Sequence, residues 1–458
     1  MKQKSFIQLA TFILLCFMML NLVGCVQAKP DEPEKTTETA NGSTNAGSTA
    51  SGTAAQSEPD IFAEPTTVSV LSWWDYTTNT SLKLFKAKFE GLHPNAKLEY
   101  SRIPGKMYAD KVITMVASGE KMPDVMMLAM DQVPRYAMAG AIQDLTPYIT
   151  DDYKANTYPI ALDALTVNDK IYAVTRDITT MVMFCNKKAF ADAGAAIPKE
   201  GWTVDDFLET SKQLTKFDSK GKPTQWGYAY ALYPDTVYDW FLIFGGDYAS
   251  ADGKTSTMSS SGSKEAMQFL NDLMYKYKVS PTRTEMEQFG GNATAAVVSG
   301  KVAMSIGGLS SSFDFDTANP PVEYEMAPLP LAKNGQKVTH AFVNTWCMPK
   351  GARDPKLSWA VLDYFSSKQG QQLVMDEKMG LPASKEVDTS SFRDARPDNK
   401  YLLDSLTYAV PFKTMLNADD YYTVWEEEME NLWSNAKSVE EIAAAIDKRG
   451  NEALAKQN

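Results

Sequence analysis

Thr67-Val68-Ser69-Val70-Leu71-Ser72-Trp73, followed by the polar turn Asp75-Tyr76-Thr77-Thr78-Asn79, opens a rhythm that organises the chain. The first stretch is rich in β-branched and apolar residues and reads as a strand. Leu82, Phe85 and Phe89, with Leu92 beyond, then recur at helical spacing, and His93-Pro94-Asn95 ends the helix. Lys97-Leu98-Glu99-Tyr100 is extended again. A second helix carries Tyr108, Val112, Ile113, Met115 and Val116 and closes at Gly119. Asp124-Val125-Met126-Met127-Leu128 is a buried strand, and Tyr136 to Ala141 a short helix. The rhythm returns further on: Val204 to Leu214 helical, Trp226 to Ala231 extended, Ala266 to Tyr277 helical, Val302 to Ile306 extended. Strands alternating with helices predict an α/β fold with mostly parallel sheets covered by helices, and two such lobes are the economical reading.

Ahead of this body the composition changes twice. Lys2 and Lys4 precede an apolar run from Phe6 to Leu20, and Leu22-Val23-Gly24-Cys25 follows. A charged start, a short apolar core and small residues before a cut site read as a secretory signal peptide over residues 1–24. Cys25 directly after Gly24 resembles a bacterial lipobox, which implies a diacylglyceryl thioether on that thiol; an ordinary signal peptide with an incidental Cys is the alternative. From Gln27 to Asp60 there is no aromatic residue and no aliphatic larger than Ala. Such a segment buries too little apolar surface to offset its ordering entropy. Residues 25–64 are therefore expected to be a disordered, lipid-anchored linker, with a reach of roughly 30 Å.

The remaining residues, from about 64 to 458, suffice for two domains of ordinary size. The formal charge is −12 and falls to −14 once the leader's two lysines are gone. An acidic chain without a long basic block argues against nucleic acid and against direct binding to anionic lipid. Cys185 and Cys347 lie in apolar runs whose spacing gives no support for pairing, so two separate buried thiols are expected. Only His93 and His340 are present, each alone, which leaves a His-ligated metal or a Ser-His-acid triad little to draw on. No cofactor is expected.

Several motifs, in order, resemble those of the extracytoplasmic solute-binding proteins of bacterial ATP-driven (ABC) importers, in the branch that includes the maltose-binding protein. They are Asp124-Val125 with Gly140-Ala141-Ile142-Gln143-Asp144-Leu145-Thr146-Pro147; Ile171-Tyr172-Ala173-Val174 through Phe184-Cys185-Asn186-Lys187-Lys188-Ala189-Phe190; Gly201-Trp202-Thr203-Val204-Asp205-Asp206-Phe207; Ser299-Gly300-Lys301-Val302-Ala303-Met304 with Gly307-Gly308; and Gly380-Leu381-Pro382-Ala383. Each is weak alone; together they span nearly all of residues 65–458. The resemblance implies two lobes joined by three hinge crossings, lobe one holding 65–176 plus 338–384 and lobe two 178–337 plus 386–458. It implies a protein outside the cytoplasmic membrane that closes around a carbohydrate, expected to be an oligosaccharide, and hands it to membrane permease subunits, and a monomer fits such a leashed shuttle.

A non-catalytic sugar site needs aromatic faces for the C–H surface of a pyranose, and carboxylates, amides or Arg for its hydroxyls. Strand C-termini of α/β sheets are where such loops gather. Trp73-Trp74-Asp75-Tyr76 follows the first strand, and alternation sends one Trp to the core and the other to the cleft. Trp74 and Asp75 are the candidates there. Asp131, beside Gln132, stands where the resemblance places a sugar-binding acid. Asp177, beside Arg176, is either a ligand acid or half of a hinge ion pair. Asp235, Tyr238 and Trp240 would line the lobe-two wall, with helix core as the alternative for Trp240. Ser310 stands where relatives carry a stacking Trp, which puts a maltodextrin-like ligand in doubt. Asn344 and Trp346 follow the strand near His340. Tyr421 and Trp425, at i and i+4, form one platform or one core stripe. Met126, Met127, Met130 and Met138 read as core filling.

Two other functions compete: a lipid-anchored carbohydrate-active hydrolase, and a ligand-sensing subunit of a membrane receptor. Against the first, the chain has no G-x-S-x-G and no H-E-x-x-H, and no acid pair with a distinctive context among its 57 acids.

Overall fold

The computed structural model describes residues 61–456. The signal peptide, Cys25 and the Gln27–Asp60 stretch lie outside the described residues. The ordered body begins earlier than the sequence suggests. Phe62 is buried at 2% exposure, edge-on to Phe89 with centroids 5.6 Å apart, so the linker stops short of residue 64. Asn95 Nδ2 fixes this entry by donating to the carbonyls of Phe62 and Ala63.

Two sheets carry the architecture. In the first, Thr66–Ser72 lies between the parallel strands Ala96–Arg102 and Val125–Ala129. Thr339–Cys347 then pairs antiparallel with Val125–Ala129 and with Val174–Thr180. In the second, Val302–Gly307 lies between the parallel strand Pro223–Ala229 and the antiparallel strand Val182–Asn186, which also pairs with Tyr324–Ala327. The sheets are thus mixed rather than mostly parallel. Strands that enter from the other sheet run against those built by local βαβ units.

The helices follow the apolar spacing. Thr80–Leu92 starts where the Asn79 side chain accepts from the Leu82 amide, and it buries Leu82, Phe85 and Phe89. Leu92 is 52% exposed because the helix ends there. Gly105–Ser118 stops at Gly119, whose φ of 67° suits glycine. Val204–Leu214 opens with a capping box between Thr203 and Asp206 and packs Phe207 inward. Met126, Met127 and Met130 are core, whereas Met138 is 60% exposed. Cys185 and Cys347 are buried and free, one in each sheet.

The chain changes sheets between Thr180 and Val182, so Met181 is the crossing, four residues beyond the expected boundary at Asp177. The stretch between Ala327 and Thr339 returns it to the first sheet. Leu381 exchanges both backbone hydrogen bonds with Ile178, at 2.8 Å each, before the chain leaves again toward Asp398, whose carboxylate accepts from the Met326 amide of the second sheet. Ala409–Pro411, expected in lobe two, is an edge strand of the first sheet because it pairs in parallel with Thr339–Ala341.

Candidate functional site

The topology sets two sheet edges face to face. Thr66–Ser72, Ala96–Arg102 and Val125–Ala129 are parallel, and Val174–Thr180 runs with them, being antiparallel to the same Thr339–Cys347 neighbour. All four end at one edge. In the second sheet Val182 pairs with Gly307, the last residue of Val302–Gly307, so Met181 leads straight to the edge where Val302–Gly307 and Pro223–Ala229 end. Loops after strand C-termini of both sheets therefore meet about the crossing, the place where α/β sheets bind ligands.

A cavity of about 360 Å³ opens beside the second edge, lined by Tyr233, Asp235, Asn292, Gly308 and Ser311, with Met181 and His340 from the crossings. Tyr233, 55% exposed, caps the Pro234–Ile243 helix, and Asp235 sits in its first turn. Asp235 acts at a distance on Glu426, whose carboxyl is raised by burial and then by this neighbour. Tyr228 and Tyr230 close the floor with committed hydroxyls: Tyr228 accepts from Trp240 Nε1 and Tyr230 donates to the Leu270 carbonyl.

A second cavity, of about 140 Å³, lies between Asp131, Gln132 and Arg135 on one side and Leu416, Asp419 and Asp420 on the other. Gln132 Nε2 donates to Asp419 at 3.3 Å, and Arg135 reaches its other oxygen at 3.4 Å. Asp419 opens the Ala418–Trp433 helix, whose partners belong to the second sheet's core, so these bonds tie the two lobes together. The Asp131 carboxyl is pushed above the usual carboxylate range, first by burial and then by Asp419.

Trp73 and Trp74 are both half-buried. Trp73 stands edge-on to Tyr108 at 5.2 Å. The Arg176 guanidinium lies 3.9 Å over the Trp74 ring. Ser310 is exposed in the first turn of Leu309–Thr317. Trp74, Asp131, Asp235 and Ser310 are thus the candidates at the facing edges.

The other candidates are corrected. Asp75 holds its own turn: Oδ1 accepts from the Thr77 amide and hydroxyl, which lowers its pKa, and Oδ2 is 3.5 Å from Arg102. Asp177, 2% exposed, is spent on Arg176 and on Asn344 Nδ2 at 2.8 Å, so both Asp177 and Asn344 hold together the strand pair that leads into the first crossing. Trp240, Trp346, Tyr421 and Trp425 are fully buried, and Tyr238 nearly so. Trp240 packs on Phe207 and Phe269, and Trp346 on Phe365. Tyr238 donates to Asp247, and Tyr421 to the Tyr248 carbonyl. On the Ala418–Trp433 helix, Tyr421, Trp425, Met429 and Leu432 form one buried stripe, so i, i+4 marked core. Sequence reasoning missed Tyr233, Arg135 and Asp419. An aromatic directly before Pro234 at a strand end signals Tyr233; nothing local marks the other two, which meet across 284 residues.

Among the described residues no group of three or more His, Cys, Asp or Glu is placed to hold a metal, and no helix is long and apolar enough to cross a membrane.

Two α/β lobes joined by crossings, with strand ends facing across them, define the two-lobed, maltose-binding-type class of binding protein. The chain belongs to the bacterial extracellular solute-binding protein family, whose profile matches residues 74–372. It is 23% identical over 270 residues to a maltodextrin-binding protein of Bacillus subtilis (strain 168), covering 57% of this chain. It is 22% identical over 316 residues to a maltotriose-binding protein of Pyrococcus abyssi (strain GE5 / Orsay), covering 67% of this chain. The matched stretches span 61% and 65% of those relatives' own lengths. Among solved structures, an ABC substrate-binding protein of Listeria monocytogenes in complex with cycloalternan superposes with a TM-score of 0.73 at 23% identity, covering 85% of this chain and 99% of that one.

Proposed function

We propose that this protein captures a carbohydrate, an oligosaccharide, between its lobes by hinge closure and delivers it to the permease of an ABC importer. The observation that carries this reading is the convergence of strand C-termini from both sheets on the crossing at Met181, which we read as two walls of a cleft. One bears the half-buried Trp74 ring and Asp131; the other bears Tyr233, Asp235 and Ser310. A ring face and acceptor carboxylates on facing walls suit the C–H surface and the hydroxyls of a pyranose. The binding of maltodextrin, maltotriose and cycloalternan by its relatives and structural neighbour supports the same class of ligand. Ser310 in place of a wide aromatic leaves room for a branched or cyclic saccharide. We take the moving bodies to be 65–176 plus 338–384 and 178–337 plus 386–458, adjusted so that the first crossing falls at Met181 and so that Phe62 and the Ala409–Pro411 strand go with the first body. A lipid on Cys25 would hold them outside the cell membrane. No catalysis is proposed, and the body is taken as a monomer.

Calorimetric titration with maltotriose, a linear maltodextrin and cycloalternan tests the ligand class, and X-ray scattering at saturation tests the motion. Binding with a smaller radius of gyration is expected, because closure buries both walls. Binding to none of the three defeats the α-glucan reading. Saturation without compaction defeats hinge closure, and release of shorter sugars makes the protein a hydrolase instead.

A further inference from the structure

The strand that leads into the first crossing contains a built irregularity. Along the pairing of Val174–Thr180 with Thr339–Cys347, Asn344 opposes Asp177 while Thr345 opposes Thr175, so Arg176 has no partner residue and forms a β-bulge. A bulge re-aims side chains and brings consecutive residues to one side of the strand. Here the Arg176 and Asp177 side chains are ion-paired although adjacent in sequence. The bulge is supported from behind: Gln371, fully buried, donates to the carbonyls of Thr175 and Arg176 and accepts from the Ala383 amide. Asp177 is clamped in turn by Asn344 and by Gly380, where a Cβ would lie 2.7 Å from the Asp177 Cβ.

Stability does not account for this arrangement. Arg176 is 5% exposed, and its Nη1 has no hydrogen-bond partner. A buried ion pair is often no more stabilising than a well-packed apolar pair in the same space, since both charges are taken out of water. What an apolar pair would not supply is a guanidinium cation over the Trp74 ring, 3.9 Å from its centre.

We infer that Arg176 is a positioning residue: with Asp177 it holds the Trp74 indole in one plane at the cleft edge and ties that plane to the crossings. Arg176 sits over one indole face, Trp73 stands edge-on to the ring at 6.3 Å, and the half-buried ring offers its remaining surface to a sugar. Because Asp177 touches Asn344 and Gly380, a ring stacking on Trp74 bears on the strand leading into the first crossing and on the segment leading into the third together. This rests on the reading of Trp74 as a sugar platform.

The test is ¹⁹F NMR of full-length protein carrying 5-fluorotryptophan, with the Trp74 signal assigned by Trp74→Phe. Arg176→Lys keeps a charge for Asp177 but loses the planar stack. Its Trp74 signal should shift and broaden, that of Trp73, edge-on to it at 6.3 Å, should follow, and those of the remaining tryptophans should stay in place. A global structural defect would instead move many signals. If Arg176→Lys does not fold, the Arg176→Met/Asp177→Asn pair removes both buried charges and should free the ring in the same way. An unchanged Trp74 signal in the folded variant overturns the inference. Maltotriose affinity separates it from the platform reading. Arg176→Lys should weaken binding on the order of ten-fold, and this effect should vanish in a Trp74→Ala background. If the Trp74 signal moves but Trp74→Ala binds as wild type does, the positioning stands and the platform reading falls.

Discussion

Replacing Trp74 by Ala should weaken sugar binding about 30-fold, equivalent to about 2 kcal/mol. The figure comes from the indole's two faces. A fully buried Trp removes 150–250 Å² or so from water. In this protein the ring is already half-buried, one face lying under the Arg176 guanidinium. If the surface left to the half-buried ring offers roughly 60–80 Å² to a pyranose, at about 25 cal/mol per Å² this contributes about 1.5–2 kcal/mol. The same substitution removes the cation–π contact with Arg176, so the ligand-free protein should lose about 1–2 kcal/mol of stability. The two effects are read separately. Calorimetry against the tightest-binding saccharide of the panel gives Kd, and a melting curve without ligand gives Tm. A 30-fold weaker Kd with a Tm only a few degrees lower is the expected result. An unchanged Kd with a lowered Tm would refute the reasoning and make Trp74 a packing residue.

Protonation of Asp131 should be visible in stability. Burial, and then Asp419, raise its folded pKa above the ordinary 3.8, so the ionised carboxylate opposes folding. That penalty is fully present above the folded pKa and disappears as pH falls through it toward 3.8, where the native state binds the extra proton. Asp131→Asn should therefore melt higher than wild type at neutral pH, with the gap closing toward pH 4, yet bind sugar more weakly; a pH-independent Tm difference would contradict this. Gly262→Ala should destabilise lobe two by several kcal/mol, because a Cβ there meets the Gly246 amide nitrogen at 2.4 Å, a backbone atom that cannot swing aside; an unaffected unfolding midpoint would count against the close approach. Cys25→Ala should abolish lipid attachment, since only the thiol forms the thioether, and release the protein from membrane fractions; retention after the substitution would reject the anchor.

The sequence alone was enough for the local elements. Leu82, Phe85 and Phe89 at helical spacing after Asn79, and the apolar run Val125–Leu128, are patterns that neighbouring residues impose on one another, and the structure has them as a capped helix and a buried strand. That Trp74, Asp131, Asp235 and Ser310 stand beyond strand ends was legible for the same reason, since strand ends can be read from a strand. The aromatic candidates show where that stops. Tyr421 and Trp425 at i, i+4 have the same spacing whether the stripe faces a cleft or a core, and only the helices packed against them made it core. Asp177 reads alike as ligand acid or ion-pair member until Asn344, 167 residues on, takes its oxygen. The bulge at Arg176 exists because Thr339–Cys347 pairs across it one residue short, and Arg135 meets Asp419 only because the lobes face each other. Periodicity reports which side of an element is apolar; what covers that side is decided by residues hundreds of positions away.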